Sequence, residues 1–106
     1  MGGLPPIFFV AAMTLSLPAL AADPQSGRAK AAACAVCHGQ AGISTLPNAP
    51  HLAGQPAVYI EEQLRNFRSG KRQSEVMSVV AKPLSDADIA DLAAWFATIR
   101  IEATPP

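Results

Sequence analysis

The stretch Cys34-Ala35-Val36-Cys37-His38 decides how the rest of the chain is read. It has the form C-x-x-C-H, the signature of covalent c-type haem attachment. Residues three apart share one face of a helical turn. Cys34 and Cys37 can therefore both reach the two vinyl groups on one edge of a haem and form thioethers. His38 follows directly, so its imidazole can pass under the ring and bind the iron as proximal ligand. The motif occurs once, which specifies one haem.

Upstream of the motif, Asp23-Pro24 is a helix start: a capping Asp, then Pro at the first helical position. The Ala-rich run from Gln25 to Ala33 predicts a helix that leads straight into the Cys pair, with Arg28 and Lys30 facing out. Gly27 and Ala31 make a small-residue stripe where another helix could come close.

Downstream, Gly39 to Gly54 reads as loop, because it carries Gly39, Gly42, Pro47, Asn48, Pro50 and Gly54 and no sustained period. So long a loop in a small domain needs something to wrap, and a haem edge is the candidate. Gln55-Pro56 opens a second helix that runs to Ser69 and stops at Gly70. Ala57, Ile60, Leu64 and Phe67 form its apolar face, and Glu61 and Arg65 stand four apart in the favourable order. Arg65, Arg68, Lys71 and Arg72 gather at its end. Cations there complement the helix dipole; the competing reading is a docking patch or a partner for haem propionates.

The segment Ser74 to Ala81 is short and contains Met77. After Pro83, Ser85-Asp86-Ala87-Asp88 is a capping box, with Leu84 and Ile89 placed as a hydrophobic staple. The last helix is expected from Asp86 to about Arg100, with Ile89, Leu92, Ala93, Phe96 and Ile99 on one face and Trp95 beside it. No segment alternates at period two. The expected fold is all-α, three main helices plus a short one, with long loops wrapped around one haem.

Of the 106 residues, 50% are hydrophobic and 15% charged, which excludes a disordered chain. All eight Lys and Arg and all eight Asp and Glu lie beyond residue 22, so the charges there balance. With no basic excess, nucleic acid is not an expected partner. Residues 4–22, LPPIFFVAAMTLSLPALAA, are apolar and end in an Ala19-Leu20-Ala21 cleavage signal. Residues 1–21 are thus expected to be a cleaved secretory signal peptide, and residues 22–106 one domain. An uncleaved anchor is the competing reading; the run is short for a span and Pro18 interrupts it. A domain this small has a thin core, and a buried cofactor would fill it.

The iron's other face needs a second ligand or stays open. With the leader removed, Met77 is the one methionine left, 39 residues after His38. An isolated Met is commonly core filler, but here a haem already has to be closed. His51, in a Pro-flanked loop, competes for the distal position. A zinc site at Cys34, Cys37, His38 and His51, or a dithiol pair at Cys34 and Cys37, would drop the haem altogether. Adjacent Cys37 and His38 make an awkward tetrahedral pair, and no strand supplies a thioredoxin-type context.

Together these residues resemble the class I c-type cytochromes, in particular the small bacterial branch of single-haem carriers and tandem di-haem periplasmic cytochromes. The matching pieces are Gly27, CAVCHG at 34–39, PHLAGQ at 50–55, Tyr59, Gln63-Leu64, Gly70-Lys71-Arg72, Met77, and 84–96 around Trp95. The resemblance implies the cytochrome c fold, covalent haem c on Cys34 and Cys37, His38 as proximal and Met77 as distal iron ligand. It also implies that the first and last helices cross at Gly27 and Trp95, that the Pro50 carbonyl accepts a hydrogen bond from the His38 ring, and that the haem is attached outside the inner membrane, in the periplasm.

The function that follows is electron transport without enzymatic activity. Two protein ligands would leave no substrate position on the iron, and single electrons would pass to and from redox protein partners: a periplasmic dehydrogenase, a respiratory complex or an oxidase. Contact with a membrane would come only through partner complexes. The alternatives are a haem c subunit bound permanently to a periplasmic oxidoreductase, and a gas-binding or peroxidase-like haem protein with an open distal face. Candidate docking edges are Arg65, Arg68 and Arg72 on one side and the Asp86 to Asp91 turn on the other.

Overall fold

The computed structural model describes residues 1–16 and 21–106. Residues 1–16 are exposed and belong to no helix. Part of the expected cleavage signal, Ala19-Leu20, lies outside the described residues. Among the described residues no helix is long and apolar enough to cross a membrane.

Five helices follow one another: α1 (Pro24–Lys30), α2 (Ala35–His38), α3 (Ala57–Ser69), α4 (Met77–Ala81) and α5 (Asp86–Thr98). No strand occurs among the described residues. The all-α expectation holds with one correction, since there are two short helices, α2 and α4, where the sequence predicted one. The Ala-rich run does not continue into the Cys pair; it breaks into a turn over residues 31–34. Inside that turn the amides of Cys34 and Ala35 both donate to the Ala31 carbonyl, at 2.9 and 3.1 Å. Alanine favours helix by only a few tenths of a kcal/mol per residue, on the order of what a single tertiary contact overrides.

Caps fix the ends as the sequence dictates. Asp23 accepts from the Gln25 amide, with Pro24 at the first helical position. Ser85 and Asp88 form the reciprocal capping box of α5, each side chain accepting the other's amide at 3.0 Å. α5 ends at Thr98, two residues before the expected end, and Ile99 is extended.

The frame is α1 packed across α5, with α3 against α5 and α4 against α3. Gly27 makes the first crossing possible. A Cβ there would stand 1.9 Å from the Asp91 carbonyl oxygen and 2.9 Å from Trp95 Cβ, so only glycine admits this approach. The crossing of Gly27 with Trp95 is thereby borne out. Arg28 and Lys30 do not simply face out. The Arg28 guanidinium lies 5.5 Å from the Trp95 ring centroid, and Lys30 Nζ reaches Asp88 at 2.9 Å and Asp91 at 2.8 Å. Asp91 Oδ1 also accepts from the Asp23 amide at 2.8 Å. Polar bonds thus tie both ends of α1 to α5, on either side of the glycine contact.

Ala31, Leu92 and Phe96 centre the core, with Cys34, Leu52, Leu64, Leu84, Trp95 and Ile99 packed on them. Ile89, Ala81 and Ala93 are completely enclosed. Burial removes each side chain from water, worth roughly 25 cal/mol per Å² of apolar surface. Because Cys34 is among the packed residues, the attachment motif is fastened directly to this core.

Candidate haem site

Cys34 sits at the entrance of α2 in helical conformation, and its carbonyl accepts from the amides of Cys37 at 3.2 Å and His38 at 2.9 Å. The motif is therefore one closed turn, and both sulfurs leave it from neighbouring positions. Both cysteines are unpaired and half-buried. Burial pushes the Cys34 thiol above its ordinary value, the opposite of what a reactive dithiol pair needs.

His38 is the buried polar residue of the described core, 8% exposed. Its Nδ1 lies 2.8 Å from the Pro50 carbonyl oxygen. A carbonyl can only accept, so Nδ1 carries the hydrogen and the lone pair is left on Nε2. Nε2 makes no hydrogen bond to the described residues. A buried imidazole with one nitrogen donating to a carbonyl and the other bare has the usual form of a metal ligand.

The loop from Gly39 to Pro56 holds that carbonyl in place. Gly42 O accepts from the amides of Leu52 at 2.7 Å and Ala53 at 3.1 Å, closing the loop on itself. Gly42 has φ +73°, and a Cβ there would stand 2.8 Å from Ala53 N and 3.1 Å from the Phe96 ring. The Gly54 amide donates to Phe96 O at 2.9 Å, anchoring the far side of the loop to the end of α5. Ser44 ties the near side, its hydroxyl donating to Cys37 O at 3.1 Å.

His51 has a different task. Its Nδ1 accepts from the Ser44 amide at 2.9 Å, and the side chain is exposed. It fastens the loop and does not join the buried histidine. Among the described residues no three His, Cys, Asp or Glu side chains converge as a metal site, so the four donors of the zinc reading are not brought together.

Met77 opens α4 and is half-buried. No Cα of α2 comes within 8 Å of a Cα of α4. Two ligands on opposite faces of a planar group require such clearance. The protein leaves apolar side chains uncovered in the segments that follow α2: Ile43 and Leu46 in the loop, Val58 and Tyr59 on α3, and Val76 and Val79 at α4. A bare imidazole nitrogen, two thiols on one turn, a thioether and uncovered apolar side chains make a donor set that fits a haem.

The charged edges are largely spent on the fold. Arg68 donates to Leu84 O at 3.0 Å and pairs with Asp86 at 2.6 Å, linking the end of α3 to the start of α5. Arg72 donates to Gln63 at 2.7 Å and stands 4.6 Å over the Phe67 ring. Hydrogen bonds from Arg68 hold the Asp86 carboxyl below the usual range. The Ser85 amide, with Lys30, lowers Asp88 to about 2. The Asp23 amide and then Lys30 lower Asp91. Glu61 and Arg65 form no ion pair within 4.0 Å; among the described residues the ion pairs are those of Lys30 and Arg68.

With this geometry in hand, the comparisons decide the family. The cytochrome c family model matches residues 25–100. The chain belongs to the cytochrome c family. Cytochrome c4 of Pseudomonas aeruginosa is 45% identical over 92 residues, which cover 84% of this chain and 46% of that protein. The thiosulfate dehydrogenase electron acceptor of Thiomonas intermedia is 42% identical over 78 residues, 72% of this chain and 36% of that one. The crystal structure of reduced cytochrome c4 from Pseudomonas stutzeri superposes with a TM-score of 0.71 at 37% identity, covering 76% of this chain and 47% of that chain. The chain thus spans less than half the length of these relatives. A cytochrome c domain carries covalently bound haem c with its iron, and Cys34 and Cys37 fit the attachment motif.

Sequence reasoning missed residues that hold the segments around His38 and Met77 in place. Ser44, Gly42 and Ser74 carry no motif, and nothing in the sequence marks their partners: Cys37 O on α2, the Leu52 and Ala53 amides in the loop, and the Met77 amide on α4.

Proposed function

We propose that residues 22–106 are an electron carrier that works in the periplasm and has no enzymatic activity of its own, exported by residues 1–21 as a cleaved leader. Cys34 and Cys37 hold the haem as thioethers, His38 Nε2 is the proximal iron ligand and the Met77 sulfur the distal one. The observation that carries this reading is the 2.8 Å bond from His38 Nδ1 to Pro50 O, which orients a bare Nε2 directly after the cysteine pair. When bound, haem c supplies a one-electron couple at its iron.

The protein's own residues set how that couple behaves. Pro50 O holds the imidazole in one tautomer and makes Nε2 more basic. Met opposite His raises the potential relative to two histidines. With His38 and Met77 both bound to the iron, a substrate would find no place on it. A small docking face suffices, since electron-transfer encounters lie at the low end of interface size. Partners are other redox proteins; the relative named as an acceptor for thiosulfate dehydrogenase makes a periplasmic dehydrogenase a reasonable donor class.

The test is Met77→Ala in the haem-loaded protein. The expected result is loss of the thioether-to-iron absorption band near the red end and rapid binding of carbon monoxide by the ferrous form. A band that survives, or full rapid carbon monoxide binding in the unsubstituted protein, overturns the closed-haem reading.

A second reading keeps the same chemistry in a permanent complex. Uncovered Val58 and Val79, 76% and 72% exposed, together with relatives about twice as long, favour it. Gel filtration of the native protein from its source separates a free domain from a bound one.

A further inference from the structure

We propose that Ser74 and Ser78 are positioning residues that pin the backbone of Met77 while leaving its sulfur free to bind iron; this rests on the assignment of Met77 as distal ligand. The Met77 amide donates to Ser74 Oγ at 3.2 Å. The Ser74 amide donates to Ser78 Oγ at 3.0 Å, and the Ser78 amide donates to the Ser74 carbonyl at 3.0 Å. Three bonds therefore close a ring between two serines with Met77 inside it. All three side chains are half-buried.

The comparison within the molecule is with the start of α5. There Ser85 accepts from the amide three residues on, and the side chain of that same residue, Asp88, returns the bond. In the Ser74 turn the residue three on is Met77, and a methionine engaged in returning that bond would be lost to the iron. The return passes one position further, to Ser78. The arrangement is a capping box displaced by one residue, and the displacement frees the thioether.

Apart from its backbone bonds and the packing of α4 on α3, side chains of the turn itself add little. α4 has five residues, too few to persist on its own hydrogen bonds, and its cap position, Val76, supplies no side-chain acceptor. Val76, Val79 and Val80 are 57%, 72% and 40% exposed, so packing fixes the turn mainly through Ala81. A turn already fixed loses less freedom when its sulfur ligates, which favours the ligated state. Removing one of these bonds should raise the fraction of protein with the sulfur detached by roughly two- to tenfold, the weight of one net hydrogen bond.

The experiment uses the haem-loaded, full-length ferric protein and four variants: Ser74→Ala, Ser78→Ala, Ser74→Thr and Met77→Ala. Three quantities are read: the thioether-to-iron band, the affinity for imidazole as a competing ligand, and the melting temperature. Ser74→Ala and Ser78→Ala should weaken the band and raise imidazole affinity by about two- to tenfold. Ser74→Thr keeps the hydroxyl and should restore both. If the alanine variants melt lower while band and imidazole affinity stay at wild-type values, the serines are structural only and the proposal is overturned. A band that survives Met77→Ala instead overturns the ligand assignment itself, so the two failures are distinguishable.

Discussion

The imidazole of His38 and the carbonyl of Pro50 meet at 2.8 Å across twelve residues of chain, and the loop between them is closed on itself at Gly42. A Cβ at position 42 would collide with Ala53 N and the Phe96 ring, and its φ of +73° is one that other residues resist. Gly42→Ala should therefore displace the Pro50 carbonyl. The expected outcome is faster exchange of the His38 ring N–H with solvent, read by NMR, along with a lower melting temperature. Unchanged exchange would show that the anchors at Ser44 and Gly54 hold the carbonyl without Gly42.

Gly27→Ala probes the frame instead of the site. A methyl group pressed 1.9 Å from Asp91 O forces α1 and α5 apart. Overpacking of this kind costs about 1–3 kcal/mol or more, because backbone has to move. Arg28→Ala, which loses only the stacking on Trp95, should cost about 0.5–1 kcal/mol. Thermal melts followed by circular dichroism compare the two, and equal losses would contradict the close-approach account.

Acid should loosen the contacts of α5 with both α1 and α3. Asp86, Asp88 and Asp91 all have folded values below the ordinary 3.8, Asp88 at about 2. A carboxylate with a depressed folded pKa contributes stability that is complete above its unfolded value and lost as pH falls through the folded one. Stability should thus hold down to about pH 4 and fall between there and about pH 2. Lys30 is raised from 10.5 by Asp91 and Asp88, so its contribution is complete below that value and lost as pH rises beyond it. In Asp91→Asn the acid transition should be shallower, measured by denaturant melts across pH.

Haem attachment should divide cleanly between the two thiols. Cys34→Ser or Cys37→Ser leaves one thioether, which moves the pyridine haemochrome band to longer wavelength; the double variant should lose covalent haem, seen as loss of the haem mass on the denatured polypeptide. Covalent haem on the double variant would refute the motif assignment.

Charge at the presumed docking edges gives a further contrast. Arg68 is committed to Leu84 O and Asp86, whereas among the described residues Arg65 and Lys71 form no ion pair within 4.0 Å. Arg68→Ala should lower stability with little change in the salt dependence of electron transfer. Arg65→Glu or Lys71→Glu should leave stability nearly unchanged and alter that salt dependence if this edge docks. Stopped-flow electron transfer at several ionic strengths reads the difference.

The sequence alone determined whatever depends on neighbours in the chain. The spacing of Cys34, Cys37 and His38 fixes one closed turn, Asp23-Pro24 and Ser85 to Asp88 fix two helix starts, and apolar periodicity fixes the inward faces of α3 and α5. Local hydrogen bonds and the helical repeat act over a few residues, so a linear reading finds them. Tertiary structure decided what depends on contacts across tens of residues. It turned Lys30 from a surface cation into a bridge to Asp91, fastened Gly54 to Phe96 O, and set Arg68 between Leu84 O and Asp86. A polar side chain in a linear sequence has many available partners, and only the packing of α1 across α5 and the path of the loops select one.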